Sequence, residues 1–169
     1  VTVNVASVND APSNITLSGA PAGIAENDRP ISGTVAAPVV LGTLGATDVD
    51  APDAGDFATH VFSVTDSRFE IVSGNTLRLR AGAVLDFEAG TTVSVDVTVR
   101  DRNGAASGLT YTRTFTFTVL DRDDYFYGTS GNDTITGTAG RNLIYGQGGN
   151  DTLTGAGAND QVEGGDGND

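Results

Sequence analysis

The 169-residue chain contains no cysteine, no methionine and no tryptophan. Without cysteine it can form neither a disulfide nor a thiolate metal site, so its cross-links must come from packing or from oxygen-bound ions. Lysine is absent too: all nine basic residues are arginine, against 22 acids, for a formal charge of -13. That balance offers no basic footprint for phosphate and argues against nucleic acid as a partner. No apolar run approaches the length of a membrane span, so membrane insertion is not expected. The absence of an initiating methionine suggests a chain that begins inside a larger protein or after processing. Histidine occurs once, at His60 beside Val61 in an expected strand, where it reads as a surface residue.

What is abundant is aspartate. Eighteen of the acids are Asp and only four are Glu. Asp tolerates turns and its short side chain reaches a cation held by its own loop, whereas a generic solubilising surface would mix in Glu and Lys. The bias suggests calcium loops, with a merely acidic soluble surface as the alternative.

Composition divides the chain. Up to about Tyr127, short apolar–polar alternations are separated by Gly, Asn, Asp and Pro. From Gly128 onward the chain is a Gly/Asn/Asp/Thr repeat. Val93, Val95, Val97 and Val99 alternate with polar residues, as do Tyr111, Phe115, Phe117 and Val119, and a period of two marks half-buried strands. Asp101-Arg102-Asn103-Gly104 between them is a turn, with Asn-Gly suited to positive φ. Further strands are expected at Ile15–Leu17, Val39–Ala46, His60–Val64, Phe69–Val72 and Thr76–Leu79. No stretch has helical spacing. The reading is all-β: a Greek-key sandwich followed by a short parallel roll. Residues 1–8 read as the last strand of a preceding domain, 9–124 as the sandwich, 125–127 as a junction and 128–169 as the roll.

The order of acidic clusters carries a resemblance. Asn9-Asp10-Ala11-Pro12 opens the sandwich, and Ala25-Glu26-Asn27, Ala46-Thr47-Asp48-Val49-Asp50, Leu85-Asp86-Phe87-Glu88, Asp101-Arg102-Asn103 and Leu120-Asp121-Arg122-Asp123-Asp124 follow. This pattern resembles that of cadherin domains, with Phe87 in place of the usual Arg and Asp123 in place of Asn. The resemblance implies calcium at both ends of the sandwich. Asn9, Asp48, Asp50 and Asp101 would serve one ion, joined by the Ala11 carbonyl. Glu26, Asp86, Glu88, Asp121 and Asp124 would serve the paired sites that cadherins complete with an Asp of the following domain. Here a different fold follows instead.

The tail repeats every nine residues from Gly128, with glycine first, an acid sixth and an aliphatic eighth. It resembles the RTX nonapeptide family of calcium-binding parallel β-rolls. The resemblance makes Asp133, Asp151, Asp160 and Asp169 calcium ligands, and turns from alternate repeats stack on one side. Asp133, Asp151 and Asp169 would share a side; Asn142, which lacks the charge, would share the other with Asp160 and weaken it. Ile135, Ile144, Leu153 and Val162 form a thin core, so without calcium the tail would behave as a Gly-rich linker.

No catalytic constellation is visible. Asp86 and Glu88 have the residue types of a glycosidase pair, but their place in the cadherin pattern assigns them to calcium, and the chain is read as no enzyme. Two functions remain open. One is a rigid, calcium-bound extender in a secreted bacterial adhesin or biofilm protein of the type I export class. The other is a calcium-dependent module binding cell-surface polysaccharide or another adhesin copy.

Overall fold

A computed structural model describes residues 8–27, 37–49, 59–101 and 107–169. Among them every regular element is a strand. Alternation produces the longest ones. In β7 (Thr92–Arg100) Val93, Val95, Val97 and Val99 are buried while Ser94 and Asp96 face water. In β8 (Thr110–Leu120) Phe117 and Val119 point inward. Phe115 is only half-buried and carries the Arg113 guanidinium 5.0 Å from its ring centroid. Hydroxyl pairs stitch the outer face: Ser94 to Thr116 and Thr98 to Thr112, each 2.8 Å apart.

The remaining strands are β1 (Asn14–Ser18), β2 (Ile24–Ala25), β3 (Val39–Thr47), β4 (Val61–Val64), β5 (Phe69–Val72) and β6 (Thr76–Leu79). One four-stranded sheet has the order β1-β3-β6-β5 and the other β2-β8-β7-β4. Those are the two sheets of an immunoglobulin-type Greek-key sandwich, with its first strand divided between them. β1, β3, β4, β5 and β6 fall where alternation places them. β2 has two residues, too few to show a period, and was not expected.

Two compact units are distinguished. The first is Val1–Ala22, Ala37–Ala83 and Ser94–Phe117. Its core includes Ile15, Leu41, Phe69, Leu77, Val97 and Val99, all fully buried. Each such buried aliphatic or aromatic side chain contributes roughly 1.5–3 kcal/mol of burial free energy.

The second unit is Gly23–Ala36, Val84–Val93 and Thr118–Asp169, so it joins one end of the sandwich to the tail. Its tail strands are β9 (Asp124–Tyr127), β10 (Thr134–Thr136), β11 (Asn142–Tyr145), β12 (Thr152–Thr154) and β13 (Gln161–Glu163). β10 pairs in parallel with β12, and β11 in parallel with both β9 and β13. Partners are eighteen residues apart, two repeats, which makes a parallel roll. Tyr125–Tyr127, expected to be a junction, are thus a strand of the roll, with Asp124 opposite Asn142 and Phe126 opposite Ile144. Tyr127 stacks on Tyr145 at 5.3 Å between centroids. Of the four expected core aliphatics only Ile144 is fully buried; Val162 is 47% exposed. Most of the expected strand at residues 1–8, with Asp50 and the turn residues Arg102, Asn103 and Gly104, lies outside the described residues.

Candidate metal centres

The roll's turns are built by repetition. The Asp133 N–H donates to Asp151 Oδ1, the Asp151 N–H to Asp169 Oδ1 and the Asn142 N–H to Asp160 Oδ1, all at 2.9 Å. Asp151, Asp160 and Asp169 therefore each accept from the turn eighteen residues earlier, which separates the turns into the two expected sides. On the first side, Asp151 is buried and its Oδ2 has no hydrogen-bond partner. On the second, Asn142 is fully buried and its amide nitrogen lies within 3.1 Å of Thr138 O, Gly140 O, Gly155 O and Asp160 Oδ1. Fifth-position asparagines add a ladder: the Asn150 N–H donates to Asn132 Oδ1 at 2.8 Å and the Asn168 N–H to Asn150 Oδ1 at 3.0 Å.

A second cluster sits at the sandwich end within the same unit. Carboxylate oxygens of Glu26, Asp86 and Glu88 lie within 4.8 Å of one another. Glu26 is buried and held by two backbone donors, Phe87 N–H at 2.7 Å and Arg122 N–H at 2.6 Å. Asp86 accepts from the Ala89 N–H at 2.8 Å. Both Glu88 oxygens are buried without a partner. Burial pushes the Glu88 carboxyl above its usual value, and the charges of Glu26, Asp124 and Asp121 add to the rise. Asp124, buried, accepts from the Thr138 hydroxyl at 2.6 Å, and the Asp124 N–H donates to Arg141 O at 3.0 Å. The turn at Gly140 closes on this cluster. A Cβ on Gly140 would overlap Glu88 Oε1 and reach Asp121 Oδ1 at 3.1 Å. Gly140 is not in the left-handed region, so close approach rather than backbone strain explains the missing side chain there.

In the first unit, the Asn9 amide donates to Asp101 Oδ2 at 2.8 Å and leaves Asn9 Oδ1 buried without a partner. Asp101 is fully buried and its Oδ1 accepts from the Leu109 N–H at 2.8 Å. Asp48 is buried too, and its Oδ2 lies 3.0 Å from His60 Nε2. His60 is therefore not the surface residue the sequence suggested; its side chain is 14% exposed. Among the described residues, no trio of carboxylate or imidazole atoms within 4.8 Å forms around Asp48 and Asp101.

Residues 120–153 and 136–169 match the family model of the RTX calcium-binding nonapeptide repeat. The tail is an RTX roll. Its cation is calcium. No curated protein sequence matches the chain. Solved structures similar to it are cadherin ectodomains. Human desmocollin-1 is 18% identical, with 77% of this chain and 24% of that one covered at a TM-score of 0.45. Protocadherin gamma B2 extracellular cadherin domains 3–6 are 21% identical, with 78% and 31% covered at 0.48. Mouse clustered PcdhgC3 EC1-3 is 19% identical, with 78% and 42% covered at 0.41. The chain thus spans well under half the length of each.

The residues present fit calcium. Buried oxygens without donors recur at all three places, on Asp151, Glu88 and Asn9, and a buried anion left unpaired costs more than its neighbours recover. A hard cation that takes six to eight oxygens satisfies such groups at once. Sequence reasoning placed Asp124 in the sandwich pattern alone. Counting nine residues back from Asp133 puts it at the sixth position of a further repeat, and the family match begins at residue 120 accordingly. The Asn132–Asn150–Asn168 ladder was missed although the same phase contains it.

Proposed function

We propose that the chain is a calcium-binding, non-catalytic extender segment of a secreted bacterial surface protein, in which a cadherin-like sandwich is followed by an RTX roll. Asp133, Asp151 and Asp169 hold ions along one side of the roll. Glu26, Asp86, Glu88, Asp121 and Asp124 hold calcium at the sandwich end, where the roll turn at Gly140 stands in place of a second cadherin domain. Asn9, Asp48, Asp50 and Asp101 serve the opposite end. The observation that carries the reading is Asp151, a buried carboxylate with one oxygen committed to the Asp133 N–H and the other unsatisfied. Asp124 supports the extender role, because one residue belongs both to the acid cluster and to the first rung of the roll.

Calcium added to the full chain in chelator should increase parallel-β circular dichroism and raise the melting temperature. Indifference of both signals to calcium would sink the reading. A pull-down of cell-surface polysaccharide, or of a second copy, in calcium but not in chelator would favour the binding-module alternative over a passive extender.

A further inference from the structure

Asn142 is placed where a ligand would be. Its Nδ2 faces Asp160 Oδ1 at 2.8 Å and the carbonyl oxygens of Gly140, Gly155 and Thr138 at 2.7, 2.9 and 3.1 Å. Three backbone carbonyls and a carboxylate around one point are the donor set a hard cation selects. The amide carries two N–H groups and no charge, so it fills the point with hydrogen bonds instead. Its Oδ1 is used as well, accepting from the Thr138 N–H at 3.0 Å, with the Thr138 hydroxyl also 3.0 Å away but donating to Asp124 at 2.6 Å. The repeat one step earlier shows the same frame with a carboxylate. There the Thr129 N–H and hydroxyl donate to Asp133 Oδ2 at 2.6 and 3.0 Å, and the Asp133 N–H donates to Asp151 Oδ1 at 2.9 Å.

We propose that Asn142 is a built-in substitute for calcium. The rung formed by the turns of Asn142 and Asp160 binds no ion and is ordered without one, while the Asp133–Asp151–Asp169 side depends on calcium. A cation could enter the Asn142 cage only if the amide left it, releasing four acceptors together. Substituting the carboxylate should therefore create a site, because it removes the donors and leaves the oxygens in place. The Asn142 turn is also the one that approaches the acid cluster, through Gly140 at Glu88 and through Thr138 at Asp124, so it would stay formed there when calcium is withdrawn.

The inference rests on the reading of the roll as calcium-binding, and the test separates the two. Bound ions are counted on the full chain by native mass spectrometry and calorimetry with calcium chloride, against a chelator control. Asn142→Asp should bind one more ion than the wild type, and its melting temperature should fall in chelator and recover in calcium. Asp160→Asn should leave the wild-type count unchanged, since its oxygen still accepts from Asn142, but should abolish the ion gained in the Asn142→Asp background. Asp151→Asn should lose an ion from the wild type. If Asp160→Asn alone loses an ion, or Asn142→Asp gains none, the substitute role is overturned. If Asp151→Asn loses none, the calcium reading of the first side fails, and the Asn142→Asp count still decides the second.

Discussion

At Glu88 two requirements oppose each other. The proposed calcium role asks for its carboxylate, yet without a cation that carboxylate is buried, has no donor beyond its own backbone and lies close to three other negative groups. The sign of its contribution should therefore reverse with calcium. In chelator, Glu88→Gln should raise the melting temperature, because it removes a charge that folding disfavours; in calcium the same change should lower it and weaken one site. The pH dependence follows from the raised pKa. The folded state holds the Glu88 proton more tightly than the unfolded chain, so this group penalises folding as pH climbs from the ordinary value of 4.5 through its raised one. Wild type in chelator should lose stability across that window, and Glu88→Gln should lose less. Equal slopes in the two proteins would show that Glu88 is not the group responsible.

The cadherin resemblance singles out Glu26, Asp86, Glu88, Asp121 and Asp124, and the fold brings their carboxylates close to one another. What residue types could not show is which oxygens are already satisfied. Glu26 has two backbone donors and Glu88 has none from its surroundings, and that difference is made by the chain path through Phe87 and Arg122, not by side-chain chemistry. His60 was misplaced for a related reason. Alternation assigns a face to a residue inside a strand, but His60 stands one position before β4 (Val61–Val64), where its direction is set by Asp48.

At the level of elements, strands with a clear period of two were legible and the shortest were not. β9 (Asp124–Tyr127) was hidden by its own sequence. Asp-Tyr-Phe-Tyr lacks the glycines of its neighbours, and only the nine-residue phase identifies it as the first strand of the roll. Its parallel pairing with β11 is what carries the turn of Gly140 to the acid cluster. Two glycines at the same repeat position provide the comparison. A Cβ at Gly131 would meet nothing nearer than Thr129 Oγ1 at 3.7 Å, whereas one at Gly140 would overlap Glu88. Neither glycine lies in the left-handed region, so alanine meets no backbone penalty at either position. Gly131→Ala should then be close to neutral, within about 0.5 kcal/mol. Gly140→Ala should cost on the order of 1–3 kcal/mol as overpacking, and more in calcium than in chelator. Chemical denaturation of both variants measures this, and equal effects would mean that Gly140 does not approach the carboxylates.

Across the whole molecule, stability is distributed unequally between what packing supplies and what calcium supplies. Residues 128–169 carry six acids against one arginine, and stacking the turns brings those acids together. Ile144 is the one fully buried aliphatic of the four that repeat there. At roughly 0.8 kcal/mol per buried methylene, such a core falls far short of ordering some forty residues at about 1–2 kcal/mol each. The first unit is in the opposite position, with Phe69, Leu41, Leu77 and the valines of β7 fully or nearly fully buried. Chelation should therefore act selectively. Amide hydrogen exchange should become fast along β10 and β12, on the Asp133–Asp151–Asp169 side, while β3, β6 and β7 stay protected. Asp151→Ala should reproduce that pattern in the presence of calcium, since it removes the carboxylate that accepts from the Asp133 N–H and whose other oxygen is buried without a partner. Phe69→Ala should do the converse, costing about 3–5 kcal/mol in the sandwich with calcium present. If chelator exposed the amides of β7 as readily as those of β12, calcium would be holding the sandwich as well, and its apolar core would not be sufficient by itself.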